Sequence, residues 1–142
     1  MEQFITFASN NGLLSAVWVA LVVMIIVTTI RINLSPIKQI SSQELTFLMN
    51  KEEGITVDVR SEKDFNAGHI LDALSLSNDK ITKNGFISLE KHKEKPIIVV
   101  CSAGLSAAKV ATDLHKAGFA RINILKGGMG AWTSAGLPVT KK

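Results

Sequence analysis

The sequence predicts an α/β domain built on a mainly parallel sheet and preceded by one membrane-spanning helix. Three observations predict it. Residues Leu13 to Ile30 carry no charge and would be apolar on every side of a helix. From about residue 40 onward, short β-branched runs alternate with helical patterns, the order that generates parallel sheets with helices on their faces. The one cysteine, Cys101, stands between such a run and such a helix, at the strand end where open parallel sheets bind ligands. With 142 residues the chain has room for one modest domain beside the helix.

Charge separates the chain into two materials. No charged residue lies between Gln3 and Ile30, whereas Arg31 to Lys142 holds all 16 basic residues and 11 of the 12 acidic ones. The overall formal charge of +4 is therefore +5 on that longer segment. The positive mean hydropathy of +0.26 averages an apolar helix with a domain of ordinary polarity. A hydrophobic content of 46% excludes a disordered chain, and no repeat or Gly/Pro period points to a collagen-like or low-complexity one.

Leu, Ile and Val make up 11 of the residues from Leu13 to Ile30. A helix of that length spans about 27 Å, and the uncharged flank back to Phe4 adds the rest of a hydrocarbon core of roughly 30 Å. Eleven such side chains favour insertion by on the order of 3 to 7 kcal/mol. A cleaved signal peptide would need a basic start and a small-residue cleavage site. Here Glu2 precedes the run and Thr28-Thr29-Ile30-Arg31 ends it, so the segment reads as an uncleaved anchor. Arg31 and Lys38 follow it and no basic residue precedes it, which places the C-terminal part in the cytoplasm and the N-terminus outside. The expected organisation is a tail at 1–12, a membrane helix at 13–30, a linker at 31–39 containing Pro36, and a domain at 40–142. This is a single-pass protein of a cell inner membrane, touching the bilayer through 13–30. One cysteine permits no internal disulfide, in keeping with a reducing compartment.

The domain's elements follow in order. Ser41-Ser42-Gln43-Glu44 is a capping box, with Ile40 and Leu45 placed as a hydrophobic staple; Gly54 is the expected stop. Ile55 to Val59 reads as a buried strand. Ser61 to Asp64 opens a short helix that ends at Gly68, and Leu74 to Leu76 forms a short strand. Lys80 to Lys95 reads as a surface loop with a helical turn or two around Ser88 to His92. Ile97 to Val100 is a fully apolar strand, Cys101 to Leu105 a loop of small residues, and Ser106 to Ala117 a helix with Val110, Leu114 and Ala117 on its apolar stripe. Ile122 to Leu125 is a further strand, followed by a short helix at Met129 to Ser134.

A thiol in this position sits under backbone N–H groups that converge where the loop enters the helix. They favour negative charge on sulfur and activate it as a nucleophile. Small neighbours let the backbone approach whatever the sulfur carries, and Gly104 can adopt a positive φ. From the local pattern alone, Cys101 reads equally well as a small core residue.

Three stretches carry a resemblance to a known family. They are Thr56-Val57-Asp58-Val59-Arg60 with Phe65, Gly68-His69-Ile70 and Ala73; Ile98 to Ser106; and Leu125-Lys126-Gly127-Gly128-Met129 with Ala131-Trp132 and Leu137-Pro138. In order and at these intervals, the chain from about 40 to 142 resembles the rhodanese-like (thiosulfate sulfurtransferase) family. The resemblance implies a five-stranded parallel domain, flanked by helices, in which Cys101 takes sulfur from a donor, holds it as a persulfide and passes it to a thiol or other thiophilic acceptor. The loop Ser102, Ala103, Gly104, Leu105 and Ser106 would cradle that persulfide, and Ser106 stands where family members carry Ser, Thr or Arg. A related phosphatase loop would need Arg at position 107, which is Ala107. The loop departs from the family in carrying no charge, so anionic thiosulfate would depend on backbone N–H groups and more distant cations.

Asp58 and Arg60 flank Val59 at a strand end, project to one side and are expected to support the neighbouring loops. His69 reads as a hydrogen-bonded structural residue, since no second His or Cys completes a metal set with it; no metal and no cofactor are expected. His92 and His115 read as surface residues and Trp132 as core. The basic residues, including Lys91, Lys93, Lys95, Lys141 and Lys142, are interspersed with acids, which suits a solvated face near anionic lipid rather than nucleic acid. The expected function is a membrane-anchored sulfurtransferase with a sulfur donor and a thiol acceptor. The alternative is a binding module that keeps the fold and meets a membrane or secretory protein with little catalysis.

Overall fold

A computed structural model describes residues 11–33 and 37–141. The expected tail, apart from residues 11 and 12, lies outside the described residues, as do positions 34–36 of the expected linker and Lys142. The chain divides into two compact units, Met1–Ser35 and Pro36–Lys142.

The first unit contributes α1, Gly12–Asn33. Its stretch Gly12–Ile30 is long and apolar enough to cross a membrane. Large side chains along it, Trp18 and Ile25 among them, stand exposed rather than packed. Thr28 Oγ1 donates to Met24 O at 2.8 Å and Thr29 Oγ1 to Ile25 O at 2.7 Å, so both threonine hydroxyls are satisfied within the helix, as an apolar surrounding requires.

The second unit is a five-stranded sheet, β1 (Ile37–Ile40), β2 (Ile55–Asp58), β3 (Leu74–Ser75), β4 (Ile97–Val100) and β5 (Ile122–Leu125), in the order β1-β5-β4-β2-β3. Every neighbouring pair is parallel. Between them run α2 (Ser42–Glu52), α3 (Glu62–Ala67), α4 (Asn78–Asn84), a 3-10 turn at Ile87–His92, α5 (Ala107–Lys116) and finally α6 (Gly128–Ser134). β4 and β5 lie inside the sheet and are buried at every residue, which is why both read as unbroken apolar runs.

Side chains alternate across β4 and divide the core. Ile97, Val99 and Cys101 face a cluster with Val57, Ile122, Ile124 and the buried side of α5. Ile98 and Val100 face Ile40, Leu45, Leu125, Met129 and Trp132. The stripe of α5 is Ala107, Val110, Ala111 and Leu114, the i, i+3, i+4, i+7 spacing of one helix face. Ala117, expected on that stripe, is exposed because the helix ends at Lys116.

Several sequence expectations need correction. Positions 31–33 and 37–39 are not linker: α1 runs on to Asn33, and Ile37–Ile40 pairs with β5 from Ile37↔Ile122 to Ile40↔Leu125. An edge strand has one neighbour, and Lys38 and Gln39 are exposed in it, so Ile-Lys-Gln-Ile lacks the apolar run that marks the inner strands. α2 keeps its expected capping box, with Ser41 N–H and Oγ both donating to Glu44 Oε2, but its left-handed cap is Glu53 rather than Gly54. Gly54 serves space instead: a Cβ there would lie 2.9 Å from Ile98 Cδ1 and 3.1 Å from Leu48 O. The stretch from Lys80 has its expected helical turn, the 3-10 turn at Ile87–His92, but it also contains part of α4, and the turn sinks Leu89 completely into the core instead of lying at the surface. The same turn leaves His92 half-buried, not at the surface, with Nδ1 enclosed and unpaired.

Candidate functional site

β4 delivers Cys101 to the carboxyl end of the sheet. Continuing the strand's alternation, its side chain points among Val57, Val59, Val99, Ala107 and Val110 and is 1% exposed. Above it the backbone turns sharply. Gly104 adopts φ +93°, a conformation other residues rarely take, and its N–H donates to Cys101 Sγ at 2.9 Å. A Cβ at Gly104 would sit 3.4 Å from Gly127 N and 3.7 Å from Leu125 O, so the turn lies against the chain leaving β5. Ser102, Ala103, Leu105 and Ser106 are exposed, and Ala107, fully buried, starts α5 directly behind the loop.

Two opposing effects set the charge on the sulfur. Burial, the largest, pushes the Cys101 thiol up. Hydrogen bonding from the Ser106 hydroxyl, then from the backbone N–H groups of Ala107, Gly104 and Ala103, together outweighs it. The thiol is held below its ordinary value. All these donors come from the loop and the first residue of α5; no side-chain cation takes part.

The base of the loop is fixed by α6. Met129 N–H donates to Cys101 O at 2.8 Å and Gly130 N–H to Ser102 O at 3.1 Å. For these bonds to form, the turn before them must press against Cys101. Gly128 has φ +56°, and a Cβ on it would fall 2.1 Å from Cys101 O, so only glycine fits.

Asp58 and Arg60 stand at the end of the neighbouring strand. Arg60 Nη2 lies 2.6 Å from Asp58 Oδ2 and Nε 3.0 Å from Oδ1, with the Asp58 side chain 1% exposed and that of Arg60 11%. Arg60 Nη2 also donates to Gly68 O at 2.7 Å. The pair therefore ties β2 to the end of α3, and Val59 N–H donates to Val100 O beside Cys101. Arg60, Gly68, Ser102, Met129 and Gly130 line a cavity of about 370 Å³. A larger one of about 460 Å³, lined by Lys38, Phe47 and Arg121, includes no loop residue and is not connected with this chemistry. His69 stacks on Phe65 with ring centroids 3.8 Å apart and sets Nδ1 2.8 Å from Phe65 O, a packing arrangement. Trp132 is buried and donates Nε1–H to Pro138 O at 2.9 Å.

Residues 41–135 match the family model described as the rhodanese-like domain. The chain belongs to the rhodanese-like family. It is 39% identical over 141 residues to the uncharacterized protein YibN of Escherichia coli K12, covering 99% of both chains. It is 35% identical over 98 residues to the thiosulfate sulfurtransferase GlpE of Pseudoalteromonas translucida, covering 69% of this chain and 90% of that one. Among solved structures, the BH2092 protein of Bacillus halodurans superposes with a TM-score of 0.64 at 29% identity, covering 73% of this chain and 77% of that one.

In this rhodanese-like domain the structure brings Cys101, its loop, Asp58 and Arg60 to one end of the sheet. Asp58 Oδ1 accepts from the Arg60 N–H at 3.0 Å, and Arg60 Nη2 donates to Gly68 O at 2.7 Å. Sequence reasoning missed what Gly127-Gly128 does. The adjacent glycines were the available signal, since two left-handed residues in succession (φ +75° and +56°) mark a close backbone approach.

Proposed function

We propose that this protein is a sulfur carrier: Cys101 accepts a sulfane sulfur atom as a persulfide and delivers it to a thiol. The observation that carries the reading is the convergence of the Gly104 N–H and its neighbours on a thiol that has no partner cysteine. The Cys101 thiolate attacks the outer sulfur of a donor, forming the Cys101 S–S bond. The donor's own bond to that sulfur breaks, and its electron pair leaves with a thiolate or sulfite. A thiol acceptor then attacks the terminal sulfur; the Cys101 S–S bond breaks and its pair returns to Cys101 as thiolate, with no net oxidation. Donors that settle charge on the first sulfur are placed to settle it on the second, because the loop wraps the thiol from above.

With Cys101 almost wholly buried, donor and acceptor meet it through the mouth of the loop. The loop residues 102–106 carry no charge, so the thiosulfate dianion would meet only backbone N–H and hydroxyl donors from the loop itself. α1 holds the domain at the cytoplasmic face of the inner membrane, with the N-terminus outside, as the basic residues after the helix direct.

The test is turnover. The detergent-solubilised full-length chain, given glutathione persulfide and cyanide, should form thiocyanate well above the uncatalysed rate, and its Cys101→Ser variant only at that rate. A rate for the full-length chain no higher than that of the variant rejects the carrier reading and leaves the binding module.

A further inference from the structure

We infer that Leu105 and Lys126 form a selective rim around the Cys101 site, fitted to a protein cysteine flanked by an apolar and an acidic side chain. This deepens the reading of Cys101 as a sulfur carrier and rests on it. Leu105 is 87% exposed, more than any other exposed large apolar side chain among the described residues. Its place is not incidental. It lies between Gly104, whose N–H is 2.9 Å from Cys101 Sγ, and Ser106, whose hydroxyl supports the same sulfur. An acceptor that comes over this part of the loop meets Leu105 before it meets the sulfur. An inorganic anion or a small polar thiol covers little of that side chain; only an acceptor with apolar surface beside its thiol removes it from water.

Lys126 supplies the charge that the loop lacks. It stands between Leu125 and Gly127, the two residues whose backbone atoms lie within 4 Å of the space beside Gly104. Its own backbone is fixed by donation to Ile40 O at 2.9 Å, and its side chain is exposed. No carboxylate forms an ion pair with it among the described residues. Glu44, on the turn that follows Ile40, is instead engaged by the Ser41 N–H at 2.7 Å and hydroxyl at 2.9 Å. Arg60, at the same end of the sheet, is committed to Asp58 and Gly68. The site thus offers one apolar contact and one free cation next to a thiol whose loop is neutral. An acidic residue near the acceptor cysteine complements the cation, and an apolar neighbour complements Leu105.

The experiment loads full-length protein in detergent with glutathione persulfide and then offers two synthetic peptides. One holds a single cysteine between Leu and Glu, the other between Ser and Lys; cyanide serves as an acceptor too small to touch the rim. The Leu/Glu peptide should take sulfur about tenfold faster than the Ser/Lys peptide. Leu105→Ser should lower the ratio of Leu/Glu-peptide transfer to cyanide transfer about as much, and Lys126→Glu should reverse the charge preference between the peptides. A general loss of structure would lower all rates together and leave the ratios alone. Loading and transfer to cyanide with equal rates to both peptides would overturn the rim and leave the carrier. Failure of Cys101 to load would overturn both.

Discussion

The backbone N–H of Gly104 donates to Cys101 Sγ across 2.9 Å, so one of the donors to the sulfur belongs to a turn at φ +93° that glycine adopts with ease. The thiol sits below its ordinary value because the Ser106 hydroxyl and the loop N–H groups outweigh burial. A titration of thiolate absorbance should therefore find its midpoint below the ordinary value of a cysteine thiol. Since the folded value is depressed, this group's contribution to stability is full above the unfolded value and is lost as pH falls through the folded one. Ser106→Ala removes the first of the opposing donors and should move the midpoint upward. A midpoint at or above that of a free thiol would contradict the donor geometry.

Gly128 should tolerate no side chain. In Gly128→Ala the new Cβ falls 2.1 Å from Cys101 O at φ +56°, whereas at Gly136 the φ is also positive, +68°, and nothing lies within 4 Å. Gly136→Ala carries a positive-φ backbone cost with no steric overlap, about 1 kcal/mol. Gly128→Ala adds a backbone overlap and should cost roughly 3 kcal/mol or more. Chemical denaturation of the two variants measures the difference. Equal losses would mean that α6 does not press on the loop as described.

Asp58 and Arg60 form the buried ion pair of this end of the sheet. Asp58→Ala leaves a guanidinium enclosed without its carboxylate and should destabilise by about 3 to 5 kcal/mol. Replacing both together, Asp58→Leu with Arg60→Met, should recover a large part of that loss. A double variant as unstable as the single one would show that the bond from Arg60 to Gly68 O, rather than the charge pair, holds this corner.

How much was legible in the sequence depended on how many neighbours a segment has. β4 and β5 are buried at every residue, and their apolar runs were plain. β1 has one partner and polar exposed residues at its centre, so its pairing with β5 is a tertiary event that Ile-Lys-Gln-Ile does not announce. α2 carried its capping box openly, because Ser41 and Glu44 act within four residues of each other. Its stop reads from the sequence at Gly54, whereas the left-handed cap is Glu53; crowding of Gly54 by Ile98 is not visible along the chain. At the site, the nucleophile and its loop were readable because they are contiguous. The grip of Met129 and Gly130 on the carbonyls of Cys101 and Ser102 was not, since it joins residues more than 25 positions apart.

The anchor reading makes its own prediction. The full-length chain should remain with the membrane after alkaline carbonate washing, and a reporter fused after Lys142 should be active in the cytoplasm. Release by carbonate would argue for a peripheral protein, and a periplasmic reporter signal would reverse the orientation.

The most direct test of the central claim is mass spectrometry of the full-length protein after exposure to glutathione persulfide. The peptide containing Cys101 should gain the mass of one sulfur atom and lose it again on addition of a thiol. An unmodified Cys101, when a working thiosulfate sulfurtransferase gains sulfur in parallel, would contradict the account.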